Sequence, residues 1–172
     1  MGDYIAEAVI GQLEKRTPRE GIVRLGGMKC EVPVSFRDLN FDYEDRIRES
    51  QWPAEDQDVF RRELEVLKKE GKTGSTTILQ AWHIGDIGFV TLPGELFVEW
   101  GLKIKRESVF PWTYPVELGG DYLGYLITPQ AWESGGYEPL FARSSKPSVD
   151  SVERMVGTAL DMLRELHSRR ER

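Results

Sequence analysis

The sequence is poor in the residues that build disulfides and metal sites. Its 172 residues include one cysteine, Cys30, and two histidines, His83 and His167. A single cysteine excludes an internal disulfide. Neither histidine has a second histidine or a cysteine at metal-ligand spacing. We therefore interpret both histidines as structural or surface residues, and Cys30, in an alternating pattern, as a half-buried strand residue.

The sequence also lacks long hydrophobic runs and an excess of basic residues. No apolar run approaches the roughly 20 residues that cross a bilayer, so we expect no transmembrane segment. The first residues lack the basic stretch and apolar core of a signal peptide. The net charge is −6, from 23 basic and 29 acidic residues, which disfavours nucleic acid as a partner. A short basic cluster at residues 167–172 is typical of the end of a helix.

Three segments have the apolar periodicity of amphipathic helices. The first carries Ile5, Val9 and Leu13 four residues apart, and we expect it to end at Pro18. The second is predicted from Pro53 to a stop near Gly71, with acidic residues in its first turn. The last has a continuous apolar stripe: Val152, Met155, Val156, Ala159, Leu160, Leu163 and Leu166.

Strand-like segments are interleaved with these helices. Residues 21–35 read as a hairpin with its turn at Gly26-Gly27, and residues 36–52 as an extended connection. Residues 77–84 and 87–92 predict two further strands, the second apolar enough to be covered on both faces. Another short strand is expected at residues 113–118. The interleaving predicts an α/β fold, a mixed sheet with helices packed on it, in a single domain spanning residues 1–172.

The stretch LPGELFVEWG at residues 92–101 places a carboxylate directly after a predicted strand. In open α/β sheets, ligands bind beyond the carboxyl ends of strands, so Glu95 is a candidate for holding a metal or a substrate. The alternative is that Glu95 opens a helix over residues 95–105 and only complements the helix dipole. The spacing by itself favours the second interpretation.

Three tyrosines, Tyr122, Tyr125 and Tyr137, lie in a later stretch that is rich in glycine. Glycine lets a backbone approach a ligand closely, and loops often carry binding residues. The alternative is that these aromatic side chains attach a loop to the core. Composition by itself favours the second interpretation.

Together, LQAWHIGDIGFVTLPGELFVEWGLKIK and DYLGYLITPQAWESGGYE resemble the later half of the catalytic domain of neutral/alkaline ceramidases and their prokaryotic relatives. That family is one of zinc-dependent amidohydrolases, which cleave the N-acyl amide bond of a sphingolipid. The resemblance implies that Glu95 and Tyr125 are zinc ligands. It implies that Tyr137, followed by Glu138, contacts the scissile group, and that Thr128 occupies the family's threonine position one residue late.

The sequence departs from the family pattern in two places. Gly120-Asp121 stands where the family often has asparagine, and the histidine ligands of the family lie in an N-terminal half that has no counterpart here. Two oxygen ligands are fewer than the three protein ligands usual for catalytic zinc. We therefore expect the C-terminal part of a larger ceramidase-like hydrolase, inactive on its own, that needs a missing N-terminal half or a homo-oligomer. Its implied substrate is an N-acyl amide or a lipid-like molecule. The alternative is a stand-alone, non-catalytic α/β module that binds a ligand or a partner.

Overall fold

A computed structural model describes residues 1–16, 21–50 and 52–170. The helices are α1 (Gly2–Lys15), α2 (Glu44–Glu49), α3 (Ala54–Glu70), α4 (Val98–Glu107), α5 (Pro129–Ser134) and α6 (Val149–Arg170). The strands are β1 (Leu25–Ser35), β2 (Gly74–Ile84), β3 (Ile87–Thr91), β4 (Glu95–Leu96), β5 (Trp112–Val116) and β6 (Tyr125–Leu126). Pro18, the predicted end of the first helix, lies outside the described residues.

Four strands form a mixed sheet in the order β1-β2-β3-β5. β1 and β2 are antiparallel, as are β2 and β3, and β3 and β5 are parallel. The turn between β2 and β3 is Gly85-Asp86, and Gly85 has φ 56°, which suits the first position of a two-residue hairpin loop. The predicted α/β class with a mixed sheet is confirmed.

One face of the sheet is covered by α6, whose predicted apolar stripe is buried along its length. Val152, Met155 and Val156 are fully buried in a core with Leu79 and Val90 of the sheet. A second apolar cluster lies between α2, α3 and the segment before α6, and contains Tyr43, Ile47, Leu64, Leu67, Leu140 and Phe141. The second cluster fixes the segment that carries Tyr137.

The interpretation of residues 21–35 as a hairpin is wrong. β1 is one continuous strand, and Gly26 and Gly27 lie inside it, opposite His83 and Trp82 of β2. Gly26 is needed because His83 packs against it: a Cβ there would lie 2.6 Å from the histidine Nε2. A close approach of two strands, which a local pattern does not reveal, therefore explains the glycine.

Several further boundaries differ from the predictions. The connection at residues 36–52 is not extended throughout, because it contains α2, whose Ile47 is buried in the second cluster. The helix expected from residue 95 begins at Val98, after the short strand β4. β3 is covered unevenly: Gly88 and Val90 are buried on one face, whereas on the other face Thr91 is buried but Ile87 and Phe89 are only half-buried. The boundaries expected for α3 are confirmed, with Pro53 before its first residue and Gly71 in the left-handed conformation after its last.

Candidate active site

Glu95 and Tyr125 lie directly opposite each other in a second, two-stranded sheet. β4 and β6 are parallel, and the register pairs Glu95 with Tyr125 and Leu96 with Leu126. The Glu95 amide donates a hydrogen bond to the Gly124 carbonyl at 3.0 Å. Because paired residues in a sheet point their side chains to the same face, this register holds the carboxylate and the phenol side by side.

Two glycines make this close pairing possible. A Cβ on Gly94 would lie 2.1 Å from the carbonyl oxygen of Gly124. Gly124 has φ 86°, and a Cβ on it would lie 1.7 Å from the carbonyl oxygen of Ser144. A side chain at position 94 would push the two strands apart, whereas a side chain at position 124 would push β6 away from the backbone at Ser144. The glycines of the Pro-Gly-Glu and Leu-Gly-Tyr stretches therefore each allow a different close backbone approach.

Tyr137 completes a group of oxygen atoms around this pair. The Tyr125 hydroxyl donates to that of Tyr137 across 3.5 Å, a long contact for two hydroxyls, and the two rings are nearly perpendicular with centroids 5.5 Å apart. All three residues predicted for the site thus lie in one place. Glu95 and Tyr125 are partly exposed and Tyr137 is exposed, so the group is open to a ligand.

Tyr122 is a fourth member, which the sequence indicates only as one of three loop tyrosines and to which the resemblance gives no role. Its hydroxyl donates a hydrogen bond to Oε1 of Glu95 at 3.1 Å. Its backbone is set by Asp121, which accepts hydrogen bonds from the Tyr122 amide at 2.8 Å and from the Thr77 hydroxyl of β2 at 3.1 Å. The three-residue spacing of Tyr122 and Tyr125, on a segment that faces the strand of Glu95, is the signal that could have indicated it.

The electrostatics of the group favour neutral phenols when no cation is bound. The hydrogen bond with Tyr137 raises the pKa of Tyr125 well above its usual range, with smaller contributions from burial and from the negative charge of Glu95. Burial, and then the hydrogen bond to Glu95, raise the pKa of Tyr122. A cation beside Glu95 would act in the opposite direction and would stabilise a phenolate at Tyr125.

Arg37 holds the segment that carries Tyr137, and sequence reasoning missed it. Its guanidinium is buried and faces backbone carbonyls rather than a carboxylate; burial lowers its pKa to about 10. The shortest of its bonds is to the Pro139 carbonyl, at 2.7 Å. Its other acceptors are the carbonyls of Glu138, Leu140 and Pro147 and the hydroxyl of Ser145.

A second arginine attaches the same segment to α3. Arg143 forms a two-pronged ion pair with Glu63, with Nε to Oε2 at 2.8 Å and Nη2 to Oε1 at 2.5 Å. The hydrogen bonds from Arg143 lower the pKa of Glu63. Thr128, the residue at the family's threonine position, has a local structural contact: its side chain accepts the Ala131 amide at the start of α5.

Neither histidine contributes to this group. His83 is buried in β2 opposite Gly88, at the start of β3, whereas Glu95 follows the end of β3. The His83 ring stacks on Phe110, whose edge contacts His167. Within the described part of the chain, no group of three or more histidine, cysteine, aspartate and glutamate side chains could hold a metal. Glu95 and Tyr125 alone do not fit a catalytic zinc, which usually takes three protein ligands.

The alternative that Glu95 only opens a helix is not supported by the position of α4. The residue before the first turn of α4 is Phe97, and the acidic residue in that turn is Glu99. Glu95 instead lies in β4 and accepts a hydrogen bond from Tyr122. Its carboxylate therefore faces the tyrosines of the β6 segment.

Comparison with solved structures shows that the fold of this chain is similar to a known one. Neutral ceramidase from Pseudomonas aeruginosa matches with a TM-score of 0.55 and 15% identity, over 85% of this chain and 29% of that chain. A ceramidase complexed with C2 matches with a TM-score of 0.48 and 19% identity, over 55% of this chain and 15% of that chain.

The fold is therefore ceramidase-like, and the chain spans less than a third of the Pseudomonas enzyme. No protein-family model matches the sequence, and no curated protein matches it. Within residues 1–16, 21–50 and 52–170, no helix is both long and apolar enough to cross a bilayer.

Proposed function

We propose that this chain supplies part of the active site of a zinc-dependent amidohydrolase similar to neutral ceramidase. The observation that carries the proposal is the register of β4 and β6, which places Glu95 opposite Tyr125 with the Tyr137 hydroxyl beside them. This grouping occurs in a fold that matches part of a neutral ceramidase. The implied substrate has an N-acyl amide bond and a lipid-like body.

In this proposal each side chain has a separate task. Glu95 and Tyr125 provide two oxygen ligands, and the remaining ligands come from a polypeptide segment outside this chain, because His83 and His167 lie elsewhere in the fold. Tyr122 holds one carboxylate oxygen of Glu95 and so orients the other. The Tyr137 hydroxyl donates a hydrogen bond to the oxyanion that develops on the amide carbonyl. With the full ligand set, a zinc ion held in part by Glu95 and Tyr125 would supply Lewis-acid chemistry.

A zinc titration of the purified chain, followed by NMR, tests whether Glu95 and Tyr125 bind zinc. We expect weak binding, with chemical-shift changes concentrated at Glu95, Tyr122, Tyr125 and Tyr137, because two ligands hold zinc loosely. Glu95→Gln should remove these changes. Glu99→Gln removes an exposed carboxylate in the first turn of α4 and should leave them intact. The assignment would be refuted if zinc caused the same shift changes in Glu95→Gln as in the wild type, or if the changes centred on the histidines.

The catalytic part of the proposal needs the complete ligand set. In a longer protein that contains this chain, Glu95→Gln should abolish zinc retention and the hydrolysis of an N-acyl amide, while Glu99→Gln keeps both. Tyr137→Phe should keep the zinc and lower kcat by about 10²–10³-fold, the usual cost of losing one oxyanion donor. Loss of zinc in Tyr137→Phe would show that this residue is a ligand instead.

A second function, partner binding, is favoured by a different observation. The face of the sheet opposite α6 carries exposed aromatic and aliphatic side chains, of which Trp112 and Tyr114 are 61% and 48% exposed. Large exposed apolar patches often mark sites where a partner binds. This function does not require zinc, and the two proposals are independent.

A further inference from the structure

The face of the sheet opposite α6, here called the open face, has a continuous ladder of aromatic rings. Trp82 of β2 stacks on Phe89 of β3 with ring centroids 5.3 Å apart, and Phe89 stacks on Tyr114 of β5 at 5.7 Å. These residues are register partners, so the ladder crosses three neighbouring strands. A second row, Ile84, Ile87 and Trp112, runs beside the first.

The open face is unusual for a sheet that faces water. An antiparallel sheet with one solvated face normally alternates apolar residues inward with polar residues outward. β2 and β3 alternate in burial, but the outward positions Trp82, Ile84, Ile87 and Phe89 are apolar as well. We therefore infer that the open face is covered in the functional protein.

Helix α1 exposes an apolar stripe to solvent. Ile5, Val9, Ile10 and Leu13 form its apolar stripe, and each is between 52% and 56% exposed. No residue of α1 is buried. A 14-residue helix is marginally stable by itself in water, so its apolar stripe needs a surface to pack on.

The dimensions of the two surfaces agree. The helix is about 21 Å long at 1.5 Å per residue. Four strands spaced about 4.8 Å apart give a sheet about 14–19 Å wide. A helix laid across the strands would bring its stripe over the aromatic ladder of β2, β3 and β5.

We propose that α1 of one copy of this chain packs on the open face of a second copy, and that the second copy returns the same contact. Such a two-fold arrangement uses the same pair of surfaces twice. The four half-exposed aliphatic side chains of α1 offer at most about 300–550 Å², if each is given the roughly 150–250 Å² of a large aromatic side chain, and the open face offers a similar area. Two such contacts bury at most about 1,200–2,200 Å², which covers the range of stable protein–protein interfaces.

Sedimentation analysis over a range of concentrations tests the dimer. We expect the wild-type chain to dimerise, and Val9→Glu, in the middle of the α1 stripe, to weaken the dimer at least about 10-fold in Kd, because it buries an unpaired carboxylate. Ala8→Glu introduces the same charge one residue earlier, about 100° around the helix from Val9 and outside the apolar stripe, and should affect the dimer far less. Val9→Glu should keep the wild-type melting temperature at concentrations where both are monomeric, because α1 contributes nothing to the core.

Cross-linking then identifies what covers the open face. In a Cys30→Ser background, chains with Val9→Cys are mixed with chains with Tyr114→Cys, and a short bismaleimide is added. The proposal predicts a cross-linked product of one chain of each kind, and less of it when Ala8→Cys replaces Val9→Cys. A monomer at all concentrations, or a dimer that Val9→Glu leaves intact, would overturn the proposal. So would a single chain that carries both Val9→Cys and Tyr114→Cys and cross-links only within itself.

Discussion

Glu95 and Tyr125 are register partners in a parallel pair of two-residue strands, although 30 positions separate them in the chain. The pair sits just beyond the carboxyl end of β3, where ligands of α/β sheets commonly bind. Backbone hydrogen bonds between the two segments hold Glu95 and Tyr125 next to each other. The chemistry of the candidate site therefore depends on the backbone of the β4 and β6 segments.

The glycine before Glu95 gives a direct test of that dependence. Gly94→Ala would place a Cβ 2.1 Å from the Gly124 carbonyl, so β4 and β6 must separate. We expect the free energy of unfolding to fall by about 1–3 kcal/mol, as for other overpacked sites. We also expect the zinc-induced NMR shifts at Tyr125 to disappear. Chemical denaturation and the zinc titration measure the two effects.

Gly101→Ala is the matched control for this substitution. Gly101 lies inside α4, where the nearest contact to an added Cβ is Leu96 at 3.9 Å. Alanine favours a helix over glycine by about 0.5–1 kcal/mol, so this variant should be as stable as the wild type or more stable. Equal destabilisation by Gly94→Ala and Gly101→Ala would contradict the steric explanation.

Arg37 provides a test of how the Tyr137 segment is held. Arg37→Met keeps much of the side-chain volume but removes the guanidinium hydrogen bonds to the segment at residues 138–147. Buried carbonyls left without donors should lower the free energy of unfolding by about 2–4 kcal/mol. Amide hydrogen exchange should rise first in that segment. Arg48→Met, which changes an exposed arginine of α2, should have little effect on either measurement.

The contrast between α3 and β1 shows which parts of the fold could be predicted. α3 is bounded by Pro53 and by Gly71 in the left-handed conformation, both local signals that act whatever the rest of the chain does. Gly26-Gly27 resembles a turn, but its reason is the ring of His83 on another strand. Arg37 is similar, because its acceptors lie about 100 residues later in the chain. Local signals indicate where helices end, whereas the roles of Gly26 and Arg37 depend on contacts with residues far away in the sequence.

The candidate site divides in the same way. The resemblance to ceramidases predicted Glu95, Tyr125 and Tyr137 as site residues, and the structure brings these three together, although their roles remain predictions. The residues alone favoured a helix start for Glu95, because β4 is only two residues long and has no periodicity of its own. Tyr122 was named only as one of three loop tyrosines, because its contact with Glu95 requires the β4–β6 register.

Two tyrosines make the stability of the chain depend on pH in the alkaline range. Burial raises the pKa of Tyr43 to about 12, and the pKa of Tyr125 is raised by its bond with Tyr137. In the unfolded chain these phenols ionise near pH 10, and in the folded chain they ionise at a higher pH. The stabilising contribution is therefore fully present below pH 10 and is lost as the pH rises from 10 through the folded pKa values. Unfolding curves between pH 8 and pH 12 measure this loss.

A substitution separates the contribution of Tyr43 from the others. Tyr43→Phe removes the phenol of the second apolar cluster, so its stability should decline less steeply than that of the wild type between pH 10 and 12. Identical slopes for Tyr43→Phe and the wild type would show that burial of Tyr43 does not shift its ionisation.

The two glycines of β1 are a matched pair for testing close packing against His83. Gly26→Ala would place a Cβ 2.6 Å from the buried His83 ring, which is stacked on Phe110 and has little room to move. Gly27→Ala points to the other face, where the nearest atom would be the Ala81 carbonyl oxygen at 3.5 Å, an ordinary contact. We expect Gly26→Ala to cost about 1–3 kcal/mol of unfolding free energy. Gly27→Ala should be neutral or slightly stabilising, because alanine loses less conformational entropy on folding. If instead Gly26-Gly27 formed a turn, both substitutions would be destabilising, so chemical denaturation of the two variants distinguishes the continuous strand from the hairpin.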